Sequence, residues 1–283
     1  MIEVFDNSML SLYKQCPQKF HYRMVLHLIP KVEEGSAKQW GSALHSALAR
    51  WYSGEGQQAA IDTFITEFTP HNGKEEKRSL GRGVIILTQY FEKYKEEPFT
   101  IKHVEVGFSA ELGEYIICGK MDGMVNWTLG FNGLVVLEHK FSASKGYLIV
   151  DPNQQLDTYI WGVKQLTQEN VIGAYFNLVY HTKKDPEDVE FSRTLTYRTA
   201  EQIVKWEEDT IGWCNAVNES VKKGKWGRNS NNCGAYWRSC EYIHLCRAKT
   251  PSEQEALIEA VYNKDIWNPY PDSRNYESEA NNG

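Results

Sequence analysis

The sequence predicts an α/β fold whose core runs helix, three strands, helix, strand. Three observations predict it. KHVEVGFSA, EYIICGKMDGMVNW and GLVVLEHKF alternate or run together in apolar residues and are separated by Gly-containing turns, the pattern of strands. NQQLDTYIWGVKQL then carries apolar residues at helical spacing. VIGAYFNLVYHT follows as a nearly continuous apolar run, which suits a strand covered on both faces. Three strands before the helix read as an antiparallel meander.

The flanking elements follow in order. DNSMLSLYKQCPQKFHYRMVL opens with a helix capped near Asn7 or Ser8, which sets Leu12 and Cys16 four residues apart on one side. Pro17 redirects it. A second helix is expected from about Trp40 to Tyr52, where Trp40, Leu44, Leu48 and Trp51 form a stripe with His45 beside it. Further helices are expected between Ile61 and Tyr94, interrupted by the polar stretch Pro70 to Arg82; residues 53–100 thus read as a helical insertion. Pro152 is placed as an early residue of the helix after the meander. VEFSRTLTYRT reads as another strand, and Thr199 as the cap of a long helix from Ala200 to Lys223. A single domain over residues 1–250 is expected, then an acidic, flexible tail over 251–283 with few periodic apolar positions.

A chain of 283 residues, 41% hydrophobic and 24% charged, can bury a sizeable core. No stretch approaches the roughly 18 to 20 apolar residues of a membrane span, and MIEVFDNSML lacks the order of a secretory signal. A cytoplasmic protein without membrane association is expected. Of the net charge of −6, seven acids against two bases lie from Pro251 onward, so the rest is nearly neutral. The acidity argues only against a broad, nonspecific DNA-coating surface.

In a reducing compartment the six cysteines are not expected to pair as disulfides. Cys16 stands near the N-terminus, while Cys233, Cys240 and Cys246 crowd together far downstream. Four thiolates are the number that closes a tetrahedral zinc or an iron-sulfur site, so these four read as a clasp between the ends of the domain. Cys118 and Cys214 read as buried small apolar residues.

Glu138 and Lys140 are two apart on a strand, so they share a face while His139 points away. Asp122, followed by Gly123, fits a carboxylate delivered at a strand bend beside Glu138. Acids that hold a divalent ion, with a lysine next to them, suit phosphodiester hydrolysis. The plain alternative is a same-face ion pair on an exposed strand, against which stands the fully apolar LVVL before it. Gln155 and Tyr159 lie one turn apart on the following helix and suit phosphate or base contacts.

The string CPQKF, GSALHSAL, GKMDG, LEHK, QQLDTY and CGAYWRSCEYIHLC, over residues 16–246, resembles the RecB-like branch of the PD-(D/E)XK nucleases. It is most similar to the iron-sulfur type, which includes the AddB nuclease domain, the CRISPR-associated four-cysteine exonucleases and phage relatives. The resemblance implies a restriction-endonuclease-like core with a helical insertion and a cysteine-clasped C-terminal segment. It implies that His45, Asp122 and Glu138 bind Mg2+ or Mn2+, that Lys140 is the catalytic lysine, and that Gln155 and Tyr159 contact the DNA backbone or orient the site. Glu105 is a candidate auxiliary acid. It further implies a 4Fe-4S cluster on Cys16, Cys233, Cys240 and Cys246, with structural zinc as the alternative. The six residues between Cys233 and Cys240 depart from the two usual among relatives, which leaves Cys233 the least secure ligand.

The expected activity is a metal-dependent exonuclease on single-stranded or end-exposed DNA, in recombination, repair, or CRISPR or phage DNA processing. A helicase, a recombinase, a CRISPR adaptation protein or a second copy of the chain are the partners it would suit. Two other classes stay open: a DNA-binding or assembly subunit that keeps the fold without catalysis, and a redox-sensing iron-sulfur protein. Tyr236, Trp237 and Tyr242, with Arg238, Arg247 and Lys249 near them, could stack and guide single-stranded DNA or pack around the metal.

Overall fold

The computed structural model describes residues 1–31, 37–69, 78–142, 149–167, 169–181, 188–235 and 239–271. In chain order these form β1 (Val4–Asp6), α1 (Asn7–Gln15), α2 (Pro17–Phe20), a π-helical turn (His21–Val25), β2 (Leu28–Pro30), α3 (Ala37–Tyr52), α4 (Gly56–Glu67) and α5 (Leu80–Lys93). Then come β3 (Phe99–Leu112), β4 (Tyr115–Trp127), β5 (Gly133–Ser142), α6 (Gln154–Leu166), β6 (Val171–His181), β7 (Val189–Tyr197) and α7 (Ala200–Lys223). A 3-10 turn (Ser230–Asn232), α8 (Ile243–Arg247), α9 (Pro251–Val261) and β8 (Tyr262–Lys264) complete the chain. Two compact units result. The described residues among 1–34, 109–119 and 204–271 form one, and those among 35–108 and 120–203 form the other.

The second unit is a mixed sheet with helices packed on it. β3 pairs with β4. β4 pairs antiparallel with β5 from Gly123 opposite Leu137 to Trp127 opposite Gly133. β5 pairs parallel with β6 through the α6 crossover, and β6 antiparallel with β7. Val135, Val136 and Leu137 are all buried, as befits a strand between two neighbours and covered on both faces. The stripe Trp40, Leu44 and Leu48 of α3 packs with Phe64 of α4 and Leu87 and Phe91 of α5, and Val179 of β6 joins the same cluster. Phe141 and Phe191 lie against it, so the helices cover the face of β5 that carries its odd-numbered residues. The helices read as an insertion therefore belong to one continuous core layer with α3. Each fully buried Phe there contributes about 1.5–3 kcal/mol relative to exposure.

Asn153, in extended conformation, caps α6 by accepting from the Gln155 and Leu156 N–H groups. Pro152 therefore precedes the cap instead of forming the first turn. Thr199 behaves as its sequence suggests: its hydroxyl accepts from the Gln202 N–H while the Gln202 side chain accepts from the Thr199 N–H, a reciprocal cap.

In the first unit β1 runs parallel to β4 over Ile116–Cys118. The cap of α1 is Asp6, one residue before the expected Asn7 or Ser8; its carboxylate accepts the Met9 N–H at 2.7 Å. Cys16 is extended, at φ −166°, so it leaves the helix and does not share a helical face with Leu12. Pro17 then starts α2. Cys118 and Cys214 are fully buried, as expected of small apolar residues.

The expectation of a flexible tail fails for residues 251–264. Thr250 caps α9 through the Glu253 N–H, and β8 pairs antiparallel with β2. Tyr262 stacks on Tyr242 at 5.6 Å in a small core with Tyr22, Leu28 and Leu245. Residues 272–283 of that tail, like Tyr236, Trp237 and Arg238, lie outside the described residues. No helix among the described residues is long and apolar enough to cross a membrane.

Candidate active site

His45, Asp122, Glu138, Lys140, Gln155 and Tyr159, with the auxiliary candidate Glu105, all lie in the second unit. Alternation on β5 sends Glu138 and Lys140 to one face and His139 and Phe141 to the other, toward α3. His139 stacks on Tyr52 at 5.5 Å, and Phe141 meets the His45 ring edge-on at 5.4 Å. Asp122 sits inside β4, which continues to Trp127. Gly123 serves packing there: a Cβ would stand 3.2 Å from the His103 carbonyl oxygen of β3.

Asp122 joins the constellation. One carboxylate oxygen accepts from the His139 backbone N–H at 2.6 Å, just beyond the last β4–β5 rung, and the other pairs with His45 Nδ1 at 2.8 Å. Its side chain also hydrogen-bonds Glu138, which is 4% exposed. Burial and then Asp122 push the Glu138 carboxyl well above the carboxylate range, against a smaller pull from Lys140. Burial alone would raise Asp122 too, but the charge and hydrogen bond of His45 and the proximity of His139 bring it down to about 2. Burial disfavours charge on His45, yet Asp122 wins and raises its pKa. The two acids are thus pushed in opposite directions, Asp122 toward the ionised form by His45 and Glu138 toward the protonated form by burial and Asp122.

Gln155 donates through Nε2 to the Tyr159 hydroxyl at 2.9 Å, one helical turn away. Tyr159 presents its ring to Phe108 edge-on. Glu105 lies on β3 with a left-handed φ of 57°, and its carboxylate pairs with Lys120 at 2.6 Å. A non-glycine residue in that region is unusual and re-aims the side chain; Glu105 acts electrostatically on both His45 and Glu138.

A family model for the PD-(D/E)XK nuclease superfamily matches residues 7–247. The chain belongs to the PD-(D/E)XK nuclease superfamily. Asp122 within β4 and the Glu138-His139-Lys140 run of β5 both fall inside the matched span. The fold resembles a solved "Putative exonuclease" from Eubacterium rectale, with a TM-score of 0.53 at 15% identity over 88% of this chain and 90% of that one. A second solved protein, SSO0001, is 19% identical over 77% of this chain and 90% of its own, with a TM-score of 0.33. Among curated proteins no match is found.

Behind β5 the PD-(D/E)XK domain holds polar residues that sequence reasoning missed. His139 Nδ1 lies 2.8 Å from Asn177 Nδ2 on β6, and Asn177 Oδ1 accepts from Arg193 Nε on β7 at 3.1 Å. Arg193 pairs with Glu97 and reaches the hydroxyls of Tyr52 and Tyr90 at 3.0 and 2.8 Å. Asn177 is fully buried, and the Arg193 side chain is 6% exposed. The available signal was polar residues in runs that otherwise read as strand core, Asn177 in YFNLVY and Arg193 in FSRTL.

The four cysteines singled out share the first unit. Cys16 Sγ accepts the Asn229 N–H at 3.4 Å, and the Cys240 N–H bonds to the Cys233 carbonyl at 2.8 Å. Cys246 interacts electrostatically with Cys16, Cys233 and Cys240, so the thiols do share one neighbourhood. All are free, and burial raises the pKa of Cys240 and Cys246. Yet among the described residues no group of three or more His, Cys, Asp or Glu side chains is arranged to hold a metal ion. That holds for the thiols and for His45, Asp122 and Glu138 alike. By donor type, two carboxylates and an imidazole fit a hard divalent cation, and four thiols fit zinc or iron-sulfur.

Proposed function

We propose that this chain is a Mg2+- or Mn2+-dependent deoxyribonuclease that hydrolyses phosphodiester bonds from the ends of DNA or in single strands, in recombination, repair, or CRISPR or phage DNA processing. The observation that carries it is the contact of Asp122 with both His45 and Glu138, next to Lys140, within a matched PD-(D/E)XK domain. The name of the Eubacterium rectale neighbour is in keeping with an exonuclease mode.

Asp122 and Glu138, with the imidazole of His45, are the groups that would hold the cation. When bound, a divalent ion supplies Lewis-acid polarisation of a phosphoryl oxygen and makes water easier to deprotonate. Glu138 must give up its proton to serve as a ligand, so cation uptake releases a proton. The Lys140 amine, on the same face of β5 as Glu138, orients the attacking water and balances charge that develops on the phosphoryl group. The His139 N–H holds Asp122 in place. Gln155 and Tyr159, joined to each other, present an amide and a phenol for the DNA backbone.

Labelled single-stranded and double-stranded DNA incubated with and without Mn2+ tests the proposal. Cleavage is expected only with the cation, shortening strands from an end, and Lys140→Ala should abolish it while sparing DNA binding. Undiminished cleavage by Lys140→Ala, or equal cleavage in chelator, refutes the assignment.

We also infer that Cys16, Cys233, Cys240 and Cys246 take up a 4Fe-4S cluster, or zinc in its place, as a structural tie. The support is their shared neighbourhood and the soft character of four thiols. Absorbance near about 400 nm with an iron and sulfide assay separates the two. Full metal content in Cys16→Ala or Cys246→Ala rules out the tie.

A further inference from the structure

None of Arg193, Asn177, Tyr90 and Glu97 belongs to the proposed ligand set, yet their hydrogen-bond directions admit one solution. A guanidinium only donates, so the Asn177 atom facing Arg193 Nε is the carbonyl oxygen. Its amide nitrogen therefore faces the Tyr90 hydroxyl at 3.1 Å and His139 Nδ1 at 2.8 Å. That nitrogen donates to both, which leaves His139 Nδ1 without a hydrogen and places the ring proton on Nε2. The tyrosines agree: Tyr52 donates to Glu97 at 2.8 Å, so across the 2.6 Å Tyr52–Tyr90 contact Tyr90 is the donor. Tyr90 can then only accept from Asn177 and Arg193. Reversing any one bond leaves two donors or two acceptors face to face in a buried site, at about 1–3 kcal/mol.

We propose that Arg193 is a positioning residue of the nuclease site. By orienting Asn177 it holds His139 as the Nε2–H tautomer and fixes the stretch of β5 whose 139 N–H anchors Asp122 and whose adjacent residues are Glu138 and Lys140. The ring is held from two directions, by Asn177 at its edge and by Tyr52 stacked on its face, and Arg193 bonds to both of those residues. The kinetic part of this role rests on the proposed nuclease activity; the tautomer does not.

Full-length protein labelled with 15N-histidine reports each ring's tautomer through its nitrogen shifts, and His139→Gln assigns the signal. Wild type is expected to show His139 Nδ1 bare and Nε2 protonated. Asn177→Asp offers only acceptors and, beside Arg193, stays ionised, so the ring proton is expected on Nδ1. Arg193→Lys keeps the charge and loses the fork; it and Asn177→Asp are expected to lower kcat by on the order of tenfold to a hundredfold. KM for DNA should hold within about twofold, since neither residue meets substrate. An Asn177→Asp protein that keeps the Nε2–H tautomer, or folded variants of both positions with wild-type kcat, overturns the assignment. Should Arg193→Lys fail to fold, Asn177→Asp decides alone, because it leaves the Arg193–Glu97 pair in place. A wild-type protein inert on DNA with Mn2+, whose ring proton still moves in Asn177→Asp, removes the nuclease activity and this kinetic role while upholding the tautomer lock.

Discussion

Asp122 does two jobs with one carboxylate, and its substitutions should differ accordingly. Asp122→Ala leaves the His139 N–H without its 2.6 Å partner and is expected to destabilise the protein by about 1–3 kcal/mol besides ending cleavage. Asp122→Asn can keep its oxygen on that N–H, because His45 can switch tautomer to accept from the new amide and a backbone N–H cannot. It should lose cleavage at near-wild-type stability; equal melting temperatures for the two variants would contradict this reading. Glu138 points the other way. Since burial and Asp122 already favour its protonated form, Glu138→Gln mimics the metal-free protein, and removing a strained acid should leave its stability equal or higher by up to about 1–2 kcal/mol while cleavage disappears. Urea titrations in chelator check this, and a clear loss of stability would show that Glu138 is ionised there.

At the scale of elements, the fit of α6 against β3 decides where Gln155 and Tyr159 stand. A Cβ at Gly162 would lie 2.4 Å from the Phe108 ring, and Phe108 also meets Tyr159. Gly162→Ala should therefore destabilise by about 1–3 kcal/mol and reduce cleavage by moving Tyr159; wild-type values of both would mean that the helix yields freely. The strands β4 to β7 and the helices α3, α6 and α7 were legible because burial imposes period two or period 3.6 on their residues. The acid, the Glu-His-Lys run and the Gln-Tyr pair were legible for the same reason, since regular elements fix their faces. What escaped was set by single hydrogen bonds, as when Asp6 and not Asn7 caps α1. Thr250-Pro251-Ser252-Glu253 did carry the signature of a helix start, but acidic composition outweighed it. The Arg193 network was illegible because its order arises only when β5, β6 and β7 lie side by side.

For the whole molecule the clearest prediction concerns acid. Burial, with Arg82 and Arg78 nearby, lowers the pKa of His181 to about 4 from an ordinary 6.5. Burial likewise takes His139 to about 3. Both folded-state values are depressed, so the unfolded chain binds these protons first, and stability present above pH 6.5 is lost as pH falls toward about 4. The guanidinium midpoint should drop between about pH 7.5 and 5, and His181→Asn should flatten that dependence. A pH dependence left unchanged by His181→Asn would mean that His181 is not held neutral.

The division into two units also bears on how the gene can be cut. Residues 109–119 group with 1–34 and 204–271, yet they form the tip of the hairpin that joins β3 to β4, whose remaining lengths group with the rest of the sheet. A peptide of 35–203 would expose that tip without the mates encoded upstream and downstream of it, and a fusion of 1–34 to 204–271 would deprive β1 of Ile116–Cys118. Separate expression of the acid-bearing half therefore calls for a redesigned loop that splices 108 to 120, and simple truncation at either boundary should yield aggregated material.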